Sequence, residues 1–222
     1  MSGMGPWAIF ATAFTVGLSG AMMPGPLLTM AIGESGRLGF WAGPLLVLGH
    51  GLLELALVIG LLFGLGGFLA KTSVTGLIGL VGGAFLLWMG RELWLGARTQ
   101  VLDLDGGSTP AKGGPILAGI TISASNPYWL MWWATIGAAY VNMALQHGTK
   151  GVALFLGGHL LADLAWYSLI AAAATAGKSF MSPRLYQGIL GLCGLFLMAL
   201  AAYFIYSGFA FLRGASSLAL AL

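Results

Sequence analysis

The chain has 222 residues, of which 59% are hydrophobic and 7% charged, and its mean hydropathy is +0.94. A soluble domain carries about 25% charged residues, and nine basic plus six acidic side chains cannot keep a sphere of this size dispersed in water. A soluble globular domain, a nucleic-acid-binding module and a disordered chain are excluded. What remains is an integral membrane protein in contact with lipid.

The charges delimit the spans. With Glu54 and Asp163 set aside, six stretches lack Asp, Glu, Lys and Arg: 1–33, 38–70, 72–90, 113–149, 151–177 and 185–212. A crossing helix takes about 20 apolar residues, so each stretch crosses once. None alternates with period two, which argues against a β-barrel. The expected fold is an all-α integral membrane protein with six transmembrane helices. The first basic residue is Arg37, so the first run is read as a retained helix and not as a signal peptide. The single Cys193 lies inside the last run, which leaves no intramolecular disulfide and no redox motif.

In chain order, helix 1 carries Met23-Pro24-Gly25-Pro26. Proline removes a backbone donor and clashes with the preceding turn, so the helix breaks there. The restarted helix presents free N–H groups and the positive dipole end, which suit a carboxylate. Helix 2 carries His50 and Glu54 four residues apart, then Gly60-x-x-x-Gly64. Helix 3 carries Gly76, Gly79 and Gly83, a spacing that allows close backbone approach within the monomer or in a homodimer. Trp88 and Trp94, near Arg91 and Arg98, suit an interfacial belt.

Residues 97–114 are turn-forming and include Asp103, Asp105, Gly106, Gly107 and Pro110. They read as a solvated linker and not as a calcium loop, whose full pattern is absent. Helix 4 then breaks at Ser125-Asn126-Pro127, followed by Trp129, Trp132 and Trp133 on one helical face. Helix 5 repeats the histidine–acid spacing with His159 and Asp163.

Three helices per half is an odd number, so the second half enters the membrane from the opposite side. That is the arithmetic of two inverted three-helix repeats, with helices 1 and 4 broken by proline. The expected division is 1–98 for the first repeat, 99–113 for a cytoplasmic linker, 114–213 for the second repeat and 214–222 for a tail. Six basic residues (Arg37, Arg91, Arg98, Lys112, Lys178, Arg184) face three (Lys71, Lys150, Arg213), which places the first group in the cytoplasm and both termini outside the cell membrane.

The Pro-Gly-Pro at 24–26, followed by Gly36-Arg37-Leu38-Gly39 and a glycine-rich second helix, resembles the LysE/RhtB exporters, as does Asn126-Pro127 in helix 4. The resemblance extends over roughly residues 15 to 212. It implies about six helices and export of amino acids or related small metabolites, usually driven by the proton gradient. Pro24, Gly25, Pro26, Asn126 and Pro127 match the signature positions. That family commonly shows Asn-Pro-Lys, whereas Tyr128 stands here.

A carboxylate mid-membrane costs about 2.5–3.5 kcal/mol on insertion scales. A histidine partner, protonation, a bound cation or a water-filled cavity offsets that cost. His50, Glu54, His159 and Asp163 are therefore assigned to proton coupling. Pro24, Gly25, Pro26, Asn126 and Pro127, with Trp129 and Trp133, are assigned to the solute. The expected function is secondary active export of an amino acid or similar zwitterion, with a small-molecule substrate and protons as partners and no cofactor. The alternative is a divalent metal-ion exporter using the same two histidine–acid pairs, with Met22, Met23 and Met30 as weaker assistants. No hydrolase, zinc-protease or phosphate-loop motif is present, so no enzyme is expected.

Overall fold

A computed structural model describes residues 5–65, 68, 71–99, 113–177 and 182–213. The linker at 100–112 and the tail at 214–222 lie outside the described residues, so those two boundaries stand as sequence expectations. The same holds for Lys112 and Lys178.

Among the described residues the regular elements are helices, with no strand. They are α1 (Pro6–Ala21), α2 (Pro26–Leu38), α3 (Ala42–Gly60), α4 (Thr72–Gly96), α5 (Gly114–Ala124), α6 (Pro127–Trp132), α7 (Ala138–Leu145), α8 (Gly148–Ala176) and α9 (Pro183–Leu212). Four helical stretches are long and apolar enough to cross a membrane: Pro26–Gly64, Thr72–Gly96, Gly148–Ala176 and Arg184–Leu212. The first and fourth charge-free runs instead yield shorter apolar helices, Pro6–Ala21 and Gly114–Ala124, because proline interrupts them. Both breaks fall where the sequence places them. α2 restarts at Pro26 and α6 at Pro127, each with proline in the first turn, where its missing N–H leaves no bond unmade.

Gly39 makes the corner between α2 and α3. Its φ of +59° and ψ of −140° lie outside what a residue with a Cβ readily adopts. A short 3₁₀ turn over Gly39–Trp41 then leads into α3.

Three helix pairs hold the bundle together: α1 with α8, α3 with α5, and α4 with α9. The α4–α9 seam is lined by glycine on both sides. A Cβ at Gly90 would sit 2.8 Å from the Gly194 oxygen, and one at Gly208 would sit 2.8 Å from the Gly76 oxygen. The helix 3 glycines therefore serve packing within this chain. Gly64 does not: it has φ +102° with nothing within 4 Å, and it kinks the π-helical turn Leu61–Leu65 that follows α3 instead of seating a neighbour.

The bundle is apolar outside and polar at its centre. Leu52, Leu77, Val81, Leu192 and Tyr206 are exposed, while His50, Glu54, Ser123, His159 and Asp163 are buried. This inversion relative to a soluble protein follows from the solvent. Lipid carries no penalty for outward leucine, and polar groups lower their energy by meeting one another. Trp88 and Trp94 are exposed on α4.

Candidate functional site

The α3 and α8 helices bring the two histidine–acid pairs to one point. His50 and Glu54 sit one turn apart on α3, His159 and Asp163 one turn apart on α8. Gly43 of α3, where a Cβ would overlap the Tyr167 carbonyl oxygen of α8, makes that approach possible, and two further glycines seat the pair on α5 and α1. Gly49, just before His50, lies against Ile116 of α5, where a Cβ would overlap the Ile116 carbonyl oxygen. Gly158, just before His159, lies against Phe10 of α1, where a Cβ would overlap the Phe10 carbonyl oxygen. Each Gly-His dipeptide thus packs on the backbone of a helix from the opposite half. Further small contacts complete the pattern: Gly17 of α1 faces the His159 ring, and Gly119 of α5 faces the α3 backbone at Leu46 and His50.

Glu54 is 1% exposed, and its Oε1 gathers four donors. His50 Nε2 lies at 3.0 Å and His159 Nε2 at 3.1 Å. Trp129 Nε1 donates at 3.1 Å and Trp133 Nε1 at 2.9 Å. Charge-assisted bonds of this kind are roughly twice as strong as neutral ones, so they offset part of the cost of burying the carboxylate. On its other side His50 Nδ1 meets Ser123 Oγ at 2.6 Å. With Nε2–H donating to Glu54, a neutral ring accepts the Ser123 hydroxyl at Nδ1.

Asp163 is held differently. Its Oδ2 stands 3.5 Å from His159 Nε2 and 3.7 Å from His50 Nε2 and makes no hydrogen bond. Glu54 Oε2 and His159 Nδ1 are also buried without a hydrogen-bond partner. Around the centre the groups alternate imidazole, carboxylate, imidazole, carboxylate. His50, Glu54 and Asp163 can each offer one ligand atom within 4.8 Å of the others, the donor chemistry a divalent cation would take.

A cavity of about 60 Å³ opens beside this cluster. Pro24 and Gly25 of the first break and Asn126 of the second line it. So do Trp129 and Trp133 and all four of the histidines and acids. Pro26 and Pro127 do not line it; they set the start of α2 and α6 behind the wall. Met23 reaches the cavity, whereas Met22 is half exposed.

The three tryptophans are buried and do not face lipid. Trp132 stacks on His159 at 4.8 Å, and Trp133 meets the same ring edge-on at 5.4 Å. The sequence indicates their common face but not their target. Ser123, Tyr167 and the paired glycines escape a reading by motif, although the repeated Gly-His dipeptide is a visible signal for two of them.

The breaks differ in capping. At the second, Asn126 Oδ1 accepts from Tyr128 N at 3.0 Å, so the chain satisfies its own helix start. At the first, Gly25 supplies no side-chain cap.

Compared with known proteins, the model of the family described as "LysE type translocator" matches residues 18–208. The chain belongs to the LysE family. It is similar to a Bacillus subtilis (strain 168) protein named "Putative amino acid efflux protein YcgF", with 25% identity over 207 residues that cover 93% of this chain and 99% of that one. No solved structure matches. Family membership and the long apolar helices make this a multi-pass membrane protein of a transporter family, in line with the absence of enzyme motifs. It also confirms the resemblance carried by Pro24-Gly25-Pro26 and Asn126-Pro127.

Proposed function

We propose that this LysE-family protein exports an amino acid or a similar small zwitterionic metabolite across the cell membrane by proton antiport. One observation carries the reading. Two buried carboxylates, one from each half of the chain, come within 4.8 Å of each other beside a cavity bounded by both helix breaks. The relative is named for amino-acid efflux, which does not favour a metal ion as the cargo of the same donor set.

The proposed architecture is six crossings in two inverted three-helix repeats, with both termini outside. The interhelical pairing supports it. Exchanging the two halves turns the α1–α8 pair into the α5–α3 pair and leaves α4–α9 as itself. It also exchanges Gly49 on Ile116 with Gly158 on Phe10. Two halves rocking about the central cluster would alternate access to it.

In the proposed cycle the solute ammonium is held by Glu54 and Asp163, with His50 and His159 orienting those acids. The solute carboxylate lies toward the uncapped start of α2 at Gly25, where backbone N–H groups and the helix dipole favour an anion. Protonation of the acids removes their hold on the ammonium and releases the solute, which is what antiport requires. Trp129 and Trp133 hold Glu54 in place and form the wall.

The test is proton flux into liposomes holding the purified protein, followed with a pH dye against a panel of amino acids and divalent metals. Flux with one or more amino acids is expected from the wild type, and background from Glu54→Gln and Asp163→Asn. Wild-type rates in both variants would remove these residues from the coupling site. A response confined to metals would overturn the proposed cargo.

A further inference from the structure

We infer that the cavity selects its solute mainly through the ammonium group, so that a primary amine with an apolar body and no carboxylate is carried as well as the corresponding amino acid. The inference rests on the reading that Glu54 and Asp163 hold the solute's ammonium, and it narrows the class of cargo at that site.

The argument is an inventory of donors and acceptors. Among the described residues, no lysine or arginine lines the cavity. Two imidazole Nε2 and two indole Nε1 converge on a single oxygen, Glu54 Oε1, beside uncharged donors of the wall such as the Asn126 amide and the Tyr128 and Tyr167 hydroxyls. Asn126 Oδ1 caps its own helix, and Ser123 Oγ is bonded to His50. The two carboxyl oxygens left without a hydrogen bond, Glu54 Oε2 and Asp163 Oδ2, are acceptors. A buried acceptor with no partner destabilises the empty site, and a donor brought by the solute removes that cost.

The spacing suits an ammonium. Bonds of about 2.8 Å from one nitrogen to two carboxylate oxygens reach across the 4.8 Å limit that separates an oxygen of Glu54 from one of Asp163. A carboxylate meets chiefly neutral donors on the described wall, the Asn126 amide and the Tyr128 and Tyr167 hydroxyls, and no lysine or arginine. The start of α2 adds backbone N–H groups, though Pro26 in its first turn contributes none. A second carboxylate on the solute would face two acids with no side-chain cation to balance it. Met23, Leu197 and Leu200 on the wall favour an apolar body.

The experiment measures competition binding to the full chain in nanodiscs, using matched pairs. These are phenylalanine with phenethylamine and leucine with 3-methylbutylamine, and glutamate is added as the dicarboxylic probe. Each amine is expected to bind within about tenfold of its amino acid, glutamate not at all, and Asp163→Asn should weaken both members of a pair together. If the amino acids bind and the amines fall more than a hundredfold behind, the carboxylate is essential and the inference is wrong, while the zwitterion site stands. If no member of either pair binds, or Asp163→Asn leaves binding unchanged, the site reading falls and the inference with it.

Discussion

His50–Glu54 and His159–Asp163 share one spacing and opposite circumstances. In the first pair every nitrogen of the histidine has a partner, and one oxygen of the acid receives four donors. In the second, His159 Nδ1 and Asp163 Oδ2 are buried without a hydrogen bond, and the imidazole, bonded through Nε2 to Glu54, sits among the rings of Trp132, Trp133 and Phe155. The i, i+4 spacing places side chains on a helix face but does not choose what stands opposite. Glu54 is the structural hub of the site; Asp163 is its open acceptor.

The sharpest way to break this comparison is to neutralise each acid. Glu54→Gln keeps one acceptor oxygen but removes the charge toward which two imidazoles and two indoles point. Disrupting a buried ionic network typically destabilises by about 3–5 kcal/mol, so a clear fall in the melting temperature should accompany loss of transport. Asp163→Asn should lose transport equally while lowering stability less than Glu54→Gln, since its Oδ2 gives up only the longer 3.5 and 3.7 Å contacts to the two histidines and no hydrogen bond. Equal melting temperatures for the two variants would show that the pairs are equivalent after all.

The next effect tests the two halves as packing equivalents. Gly49→Ala and Gly158→Ala each force a Cβ into a carbonyl oxygen across a helix pair, Ile116 in one case and Phe10 in the other. Overpacking of this kind costs about 1–3 kcal/mol, and because backbone lies opposite, side-chain rotation gives no relief. Both variants should lower thermal stability by similar amounts. A loss in only one would place the symmetry in the sequence and not in the bundle.

The smallest effect sharpens the role of His50. Ser123→Ala removes the 2.6 Å contact to Nδ1, and a single hydrogen bond of this type contributes about 0.5–1.5 kcal/mol. A small fall in melting temperature with a reduced rate of counterflow is expected. No change in either would leave the ring positioned by Glu54 alone.

Much of this is written locally. Pro24, Pro26 and Pro127 break helices wherever they fall, because the missing N–H and the ring clash are properties of the residue itself. Charge-free runs of adequate length mark membrane helices because every charge in hydrocarbon is costly. The histidine–acid pairs are visible because four residues make about one helical turn. Trp129, Trp132 and Trp133 can be placed on one face for the same reason.

Their targets are another matter. Ser123 meets His50 across 73 residues, Trp129 reaches Glu54 across 75, and His159 reaches Glu54 across 105. Those bonds exist because α3 meets α8 with Gly43 on the Tyr167 backbone, while Gly49 and Gly158 let α5 and α1 close in, distances that no spacing within one helix encodes. The glycine pattern of helix 3 shows the same division. Its small residues announce close packing, yet only the fold assigns that packing to α9 and denies it to Gly64. Composition and periodicity thus determined a membrane bundle with two broken helices and two buried acids. Tertiary approach decided which carboxylate oxygen gathers the donors and which are left open, because hydrogen bonding depends on distances of a few ångströms between segments far apart in the chain.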